Sequence, residues 1–157
     1  DYNMPSGIGL FALTDYNYDG KNDSGVNSLL SGIGLAKPVI QNKTTELIVA
    51  IGPSMQWTNG GDECGKDPYC GNAYAGGTFT TDLSWQPSKM FKLELNNKLS
   101  AAFTPDIKPA NNFKARFKFY PSIYSGLFTS LQYNLIYQSM STPEVNNSAS
   151  LQLGADF

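Results

Sequence analysis

The residues with the clearest chemistry lie in the stretch DYNYDGKND, Asp15 to Asp23. Asp15, Asn17 and Asp19 stand at positions one, three and five, and Gly20 supplies a sharp turn at six. Lys21 offers a carbonyl at seven and Asp23 a carboxylate at nine. Hard oxygen ligands at this spacing suit Ca²⁺. The twelfth position is Val26 rather than a bidentate Glu, so the set is shorter than a helix-flanked calcium loop needs. The same residues also build an ordinary polar hairpin loop, because Asp, Asn and Gly favour turns. A second candidate is the pair Cys64 and Cys70 in NGGDECGKDPYCGN. In an oxidising compartment such a pair closes a short disulfide loop, placing the chain in a periplasm or on a cell surface. The alternative is half a metal site, but the sequence has no His and no third thiolate.

The missing histidine also bears on catalysis. Ser–His and Cys–His nucleophile systems cannot be assembled, so a non-enzymatic protein is expected. Asp82 and Glu94 are expected to pair with lysines rather than do acid/base work. There is no basic run to follow phosphates, so no nucleic-acid partner is expected.

These residues must be positioned by strands. Charged residues are only 15% of the chain and aromatics 13%, against a usual charged fraction of about 25%. The last twelve residues, NNSASLQLGADF, alternate strictly: Ala149, Leu151, Leu153, Ala155 and Phe157 against Ser148, Ser150, Gln152, Gly154 and Asp156. Period two marks a strand with one apolar and one polar face.

Seven further segments read as strands. The first, GIGLFALTDYN from Gly7, has apolar residues on both parities, so its facing is open. The second, SLLSGIGLAKPV, has small residues on one side and is expected to end at Pro38. The third sets Leu47, Val49, Ile51, Pro53, Met55 and Trp57 against Glu46, Ile48, Ala50, Gly52, Ser54 and Gln56. The fourth sets Ala75, Phe79, Leu83 and Trp85 against Tyr74, Thr78, Thr80, Asp82 and Ser84, before a QPSK turn. The fifth is the clearest, with Phe91, Leu93, Leu95, Leu99 and Phe103 against Lys92, Glu94, Asn96, Lys98 and Ser100. The sixth places Phe113, Ala115, Phe117 and Phe119 opposite Lys114, Arg116 and Lys118. The seventh runs from Leu127 to Gln138, with Leu131, Tyr133 and Leu135 opposite Ser130, Gln132 and Asn134.

Connections after odd strands are long (18–25, 58–72, 104–112, 141–147). Those after even strands are short (37–43, 86–89, 121–125). No apolar run reaches the ~18 residues of a spanning helix, yet strands of about 9–11 residues can also cross a bilayer. The pattern therefore predicts one domain over residues 1–157: an all-β, eight-stranded antiparallel up-and-down transmembrane β-barrel. Its polar face would turn inward, filling a narrow or plugged lumen with a network of Glu46, Asp82, Lys92, Glu94, Lys98, Lys114, Arg116 and Lys118. Trp57, Trp85, Phe91, Phe103, Tyr120, Tyr137 and Phe157 would form aromatic girdles at the two interfaces. The alternative turns the barrel inside out, as a soluble, lipocalin-like barrel around an apolar ligand.

The terminal strand, with Leu151, Leu153 and the closing Phe157, resembles the last strand of bacterial outer-membrane barrels, although Ala155 replaces an aromatic. In size and strand count the chain resembles small barrels of the OmpA and OmpX kind. From the third strand on, with its W-x-P-S-K turn at Trp85 to Lys89, it resembles the "salt-induced outer membrane protein" family. The Asp15–Asp23 loop is similar to the D-x-N-x-D-G-x-x-D loops of calcium-binding repeats. The resemblance implies a Gram-negative outer membrane with both termini in the periplasm. Partners would be outer-membrane lipids and the barrel-assembly machinery, and the role structural, at the surface or in envelope adaptation. The chain starts at Asp1 with no visible signal peptide, as a mature product would.

Overall fold

A computed structural model of the chain describes residues 2–3, 7–19, 25–60, 70–104, 107–121, 126–137 and 144–156. The described residues form one antiparallel sheet in which each strand pairs with its sequence neighbours. A two-residue strand, β1 (Tyr2–Asn3), precedes eight long ones: β2 (Gly9–Asp19), β3 (Val26–Gln41), β4 (Thr45–Gly60), β5 (Ala73–Ser88), β6 (Phe91–Ala102), β7 (Ala110–Phe119), β8 (Leu127–Tyr137) and β9 (Val145–Ala155). The all-β, up-and-down order is thus as the alternation predicts.

Closure differs from the expectation. The ladders run from β1 to β9, and none among the described residues joins β9 back to the start. At the first edge, Tyr2 and Asn3 pair with Leu10 and Gly9 of β2. The sheet nonetheless curls strongly. Lys98 of β6 forms an ion pair with Asp15 of β2, and Ser100 of β6 lies 3.5 Å from Gln56 of β4.

Two strands run further than the turn signals suggest. Pro38 does not end β3, because a register shift between Pro38 and Ile40 lets the ladder continue to Gln41. Gln86 to Ser88 remain in β5 after a similar shift beyond Trp85, so the turn is Lys89–Met90.

The first strand's facing is now fixed. Leu10, Tyr16 and Tyr18 are exposed on the convex face, which turns Phe11, Leu13 and Asp15 inward. The other strands follow the predicted parity. Apolar side chains lie on the outside, with Ile33 66% and Leu153 83% exposed, whereas the fully buried side chains are Thr58, Thr78 and Ser130. The ordinary relation between polarity and burial is inverted.

Glycine permits the closest approach in the wall. A Cβ on Gly34 would lie 2.6 Å from the Phe11 ring and 2.7 Å from the Gly52 Cα. Three strands meet there at a separation that no side chain allows. A Cβ on Gly77 would meet nothing nearer than a Phe103 ring carbon at 3.8 Å. Gly34→Ala is therefore expected to destabilise the protein by about 1–3 kcal/mol through overpacking. Gly77→Ala should stay within about 0.5 kcal/mol. Equilibrium unfolding in urea checks both, and equal effects would contradict the packing argument.

Candidate functional site

Strand pairing sets the interior charges in rows. Glu46, Ser84, Glu94, Arg116, Gln132 and Ser150 are successive partners across β4 to β9. The row beside it holds Asp82, Asn96, Lys114, Asn134 and Ser148. On the other side Lys92 stands directly opposite Lys118, a like-charge pairing that is unfavourable by itself.

Glu94 offsets it. Its carboxylate lies 2.8 Å from Lys92 Nζ, 3.8 Å from Lys118 Nζ and 3.8 Å from Arg116 Nη1. Arg116 donates from Nε to Gln132 Oε1 at 3.0 Å. Lys118, almost fully buried, also lies 3.5 Å from Asp156 Oδ2 and 4.5 Å from the centre of the Phe128 ring. Tyr120 packs on Phe128 at 5.7 Å and donates its hydroxyl to Asp156 Oδ2 at 2.7 Å. A Cβ on Gly154 would lie 2.6 Å from Phe128 Cζ, so glycine makes the room this ring occupies. Together these residues fill the interior at the end where β7 meets the short β7–β8 connection.

Burial and the hydrogen bond to Asp156 push the Tyr120 phenol up to about 12. The same hydrogen bond, with Lys118 nearby, holds the Asp156 carboxyl below its usual range.

Beyond this packed end the inner face is lined by open space. Cavities of about 350, 300 and 610 Å³ adjoin one another. Asp15 and Lys98 line the first and third, Lys114 and Gln132 the first and second, and Glu46, Asp82 and Asn96 the second and third.

The predicted network is thus assembled in part. Lys92, Glu94, Arg116 and Lys118 come together, and Lys98 pairs with Asp15. Asp82 accepts a hydrogen bond from Asn96 instead of pairing with a lysine. Glu46 and Lys114 have no ion-pair partner among the described residues. Tyr120, expected in an outer girdle, points inward because Phe119 holds the outward parity. Asp156 and Tyr120 were both legible as inward positions from alternation alone, but the weight given to the apolar faces hid them.

The calcium candidates fare differently. Asp15, Asn17 and Asp19 are part of β2, where the same-face neighbours Asp15 and Asn17 are spaced by about 6.6 Å. Asp15 is also committed to Lys98. Lys21 and Asp23 lie outside the described residues, and no group of three metal-ligating side chains occurs among the described ones. Cys64 and Phe157 also lie outside them, whereas Cys70 is not a free thiol. Leu151 and Leu153 are exposed on the outer face of β9.

A family model described as "Protein of unknown function, DUF481" matches residues 1–157. The chain belongs to this DUF481 family. No curated protein and no solved structure matches the DUF481 chain.

Two predictions arise from the packed end of this DUF481 protein. Glu94→Gln leaves Lys92, Arg116 and Lys118 facing one another and should cost about 1–2 kcal/mol, less than for a fully buried pair because these groups are part-solvated. Adding Lys118→Met should recover part of that loss in a double-mutant cycle. For pH, the raised phenol contributes stability that is present below about pH 10 and lost as pH rises toward 12. The depressed Asp156 carboxyl contributes stability present above about pH 4 and lost as pH falls through its lowered value. Tyr120→Phe should remove its share of the alkaline loss in urea midpoints recorded from pH 8 to 12. An unchanged alkaline limb would refute this assignment.

Proposed function

We propose that this DUF481 protein is a small, non-enzymatic outer-membrane β-barrel of a Gram-negative bacterium, with a structural, surface or envelope-adaptation role. The observation that carries the reading is the inverted burial: threonines and serine fully enclosed, leucines and isoleucines open on the convex face. In water such a face would be a large aggregation-prone patch, whereas in a bilayer it is the apolar band of a barrel.

Dimensions support it. Trp85 pairs with Thr45, and Trp57 stands twelve positions further along β4. That is about 40 Å of strand, or roughly 30 Å of height at a tilt of about 40°. Trp85, Phe91 and Phe117 are exposed toward one end, with Phe91 5.8 Å from Phe117 and 5.2 Å from Phe119. Tyr16, Tyr18 and Phe103 are exposed toward the other. Rings at two levels about one bilayer apart are what interfacial girdles require. The oxidised state of Cys70 suits an outer loop closed onto Cys64 in an oxidising compartment.

In this reading β9 and the first strands approach each other when lipid covers the sheet, and the barrel-assembly machinery inserts the chain. The likeness to the "salt-induced outer membrane protein" family fits the same placement.

Leu131, 56% exposed on the outer face of β8, gives a test. Leu131→Lys should cost about 2–4 kcal/mol near a bilayer midplane. Wild type should shift in mobility between boiled and unboiled samples in detergent gels, and the variant should lose the shift. A protein that folds in plain buffer, with Leu131→Lys harmless, would favour the lipocalin-like reading.

A further inference from the structure

Charges in the interior are segregated by wall. Every Lys and Arg on the long strands, apart from the outward Lys37, lies on β6 or β7: Lys92, Lys98, Lys114, Arg116 and Lys118. Glu94 is the one carboxylate on those two strands. Facing them, β2, β4 and β5 carry the inward carboxylates Asp15, Glu46 and Asp82 and no cation.

Most of this separation is neutralised by pairs already described. Three groups are left without an ion pair among the described residues, the carboxylates Glu46 and Asp82 and the ammonium of Lys114, and they share a cavity. Glu46 and Lys114 both line the space of about 300 Å³, both are exposed within it, and neither has an ion-pair partner among the described residues. Around them Asn96 and Gln132 offer amides, Arg116 adds a guanidinium charge on the cationic side, and Glu94 sets a carboxylate beside it. A solute with one charge would meet attraction at one wall and repulsion at the other. A solute with both charges can be oriented by the field and meet both walls favourably.

We propose that this cavity is a binding site for a small zwitterionic solute, its carboxylate toward Lys114 and Arg116 and its ammonium toward Glu46 and Asp82. The site deepens the barrel reading by giving the inner face a class of occupant, although the charge pattern itself depends only on the fold. Lys114 is a flexible ammonium and Arg116 a planar donor, so the cationic wall suits a carboxylate in more than one pose. The site is open and hydrated, which predicts weak, salt-sensitive binding.

The test uses the full chain refolded in a non-ionic detergent, titrated calorimetrically with δ-aminovalerate, valerate and pentylamine at low salt. The zwitterion should bind about fivefold or more tighter than either singly charged analogue, the gain of one additional exposed ion pair. Glu46→Gln should bring the affinity for the zwitterion close to that for valerate, and Lys114→Gln close to that for pentylamine, while circular dichroism shows the strands retained. Equal affinities for the three probes in wild type would overturn the proposal even if neither variant folds. So would an advantage that survives both substitutions. A chain that refolds without detergent yet still prefers the zwitterion would sink the membrane placement and keep the site.

Discussion

Whatever turns toward the inside of this curled sheet must be small, or matched to a neighbour. The concave face is lined mostly by glycine, serine, threonine, asparagine and glutamine, and most of its ions have a partner within reach, Glu46, Asp82 and Lys114 excepted. Glu94 is the strictest case, because two lysines and an arginine converge on one carboxylate. Without it, the Lys92–Lys118 pair across the β6–β7 ladder would stand uncompensated beside Arg116. Gly34, Gly52 and Gly154 answer the same demand sterically, leaving room for Phe11 and Phe128.

Alternation made most of the architecture readable. A polar side chain at every second position from Lys92 to Ser100 cannot face the same way as Leu93, Leu95 and Leu99, so facing followed from counting. The first strand resisted because Phe11 and Leu13 share the inward side with Asp15. The Phe11 ring fits only because Gly34 lies beside it, a match between positions 23 residues apart. No local pattern reports that kind of complementarity.

The site was legible as a set of residues and not as a set of pairs. Register decides which lysine meets which carboxylate: the β6–β7 ladder sets Lys92 opposite Lys118 and Glu94 opposite Arg116. The polar run from Asp15 reads as a loop, yet β2 continues through Asp19. Asp and Asn are poor strand formers by propensity, yet pairing along β3 outweighs this. Tyr120 and Asp156 follow strand ends, where turn chemistry obscures parity even though their facing continues that of Lys118 and Gly154.

Because each ladder joins only neighbours in sequence, the architecture is modular in units of one hairpin. Adding or removing a hairpin at an edge alters one ladder and leaves every other intact. A lineage built this way can change its strand number in steps of two while keeping the β6–β7 charges in place. The circumference of the sheet and the chemistry of its interior can then evolve independently.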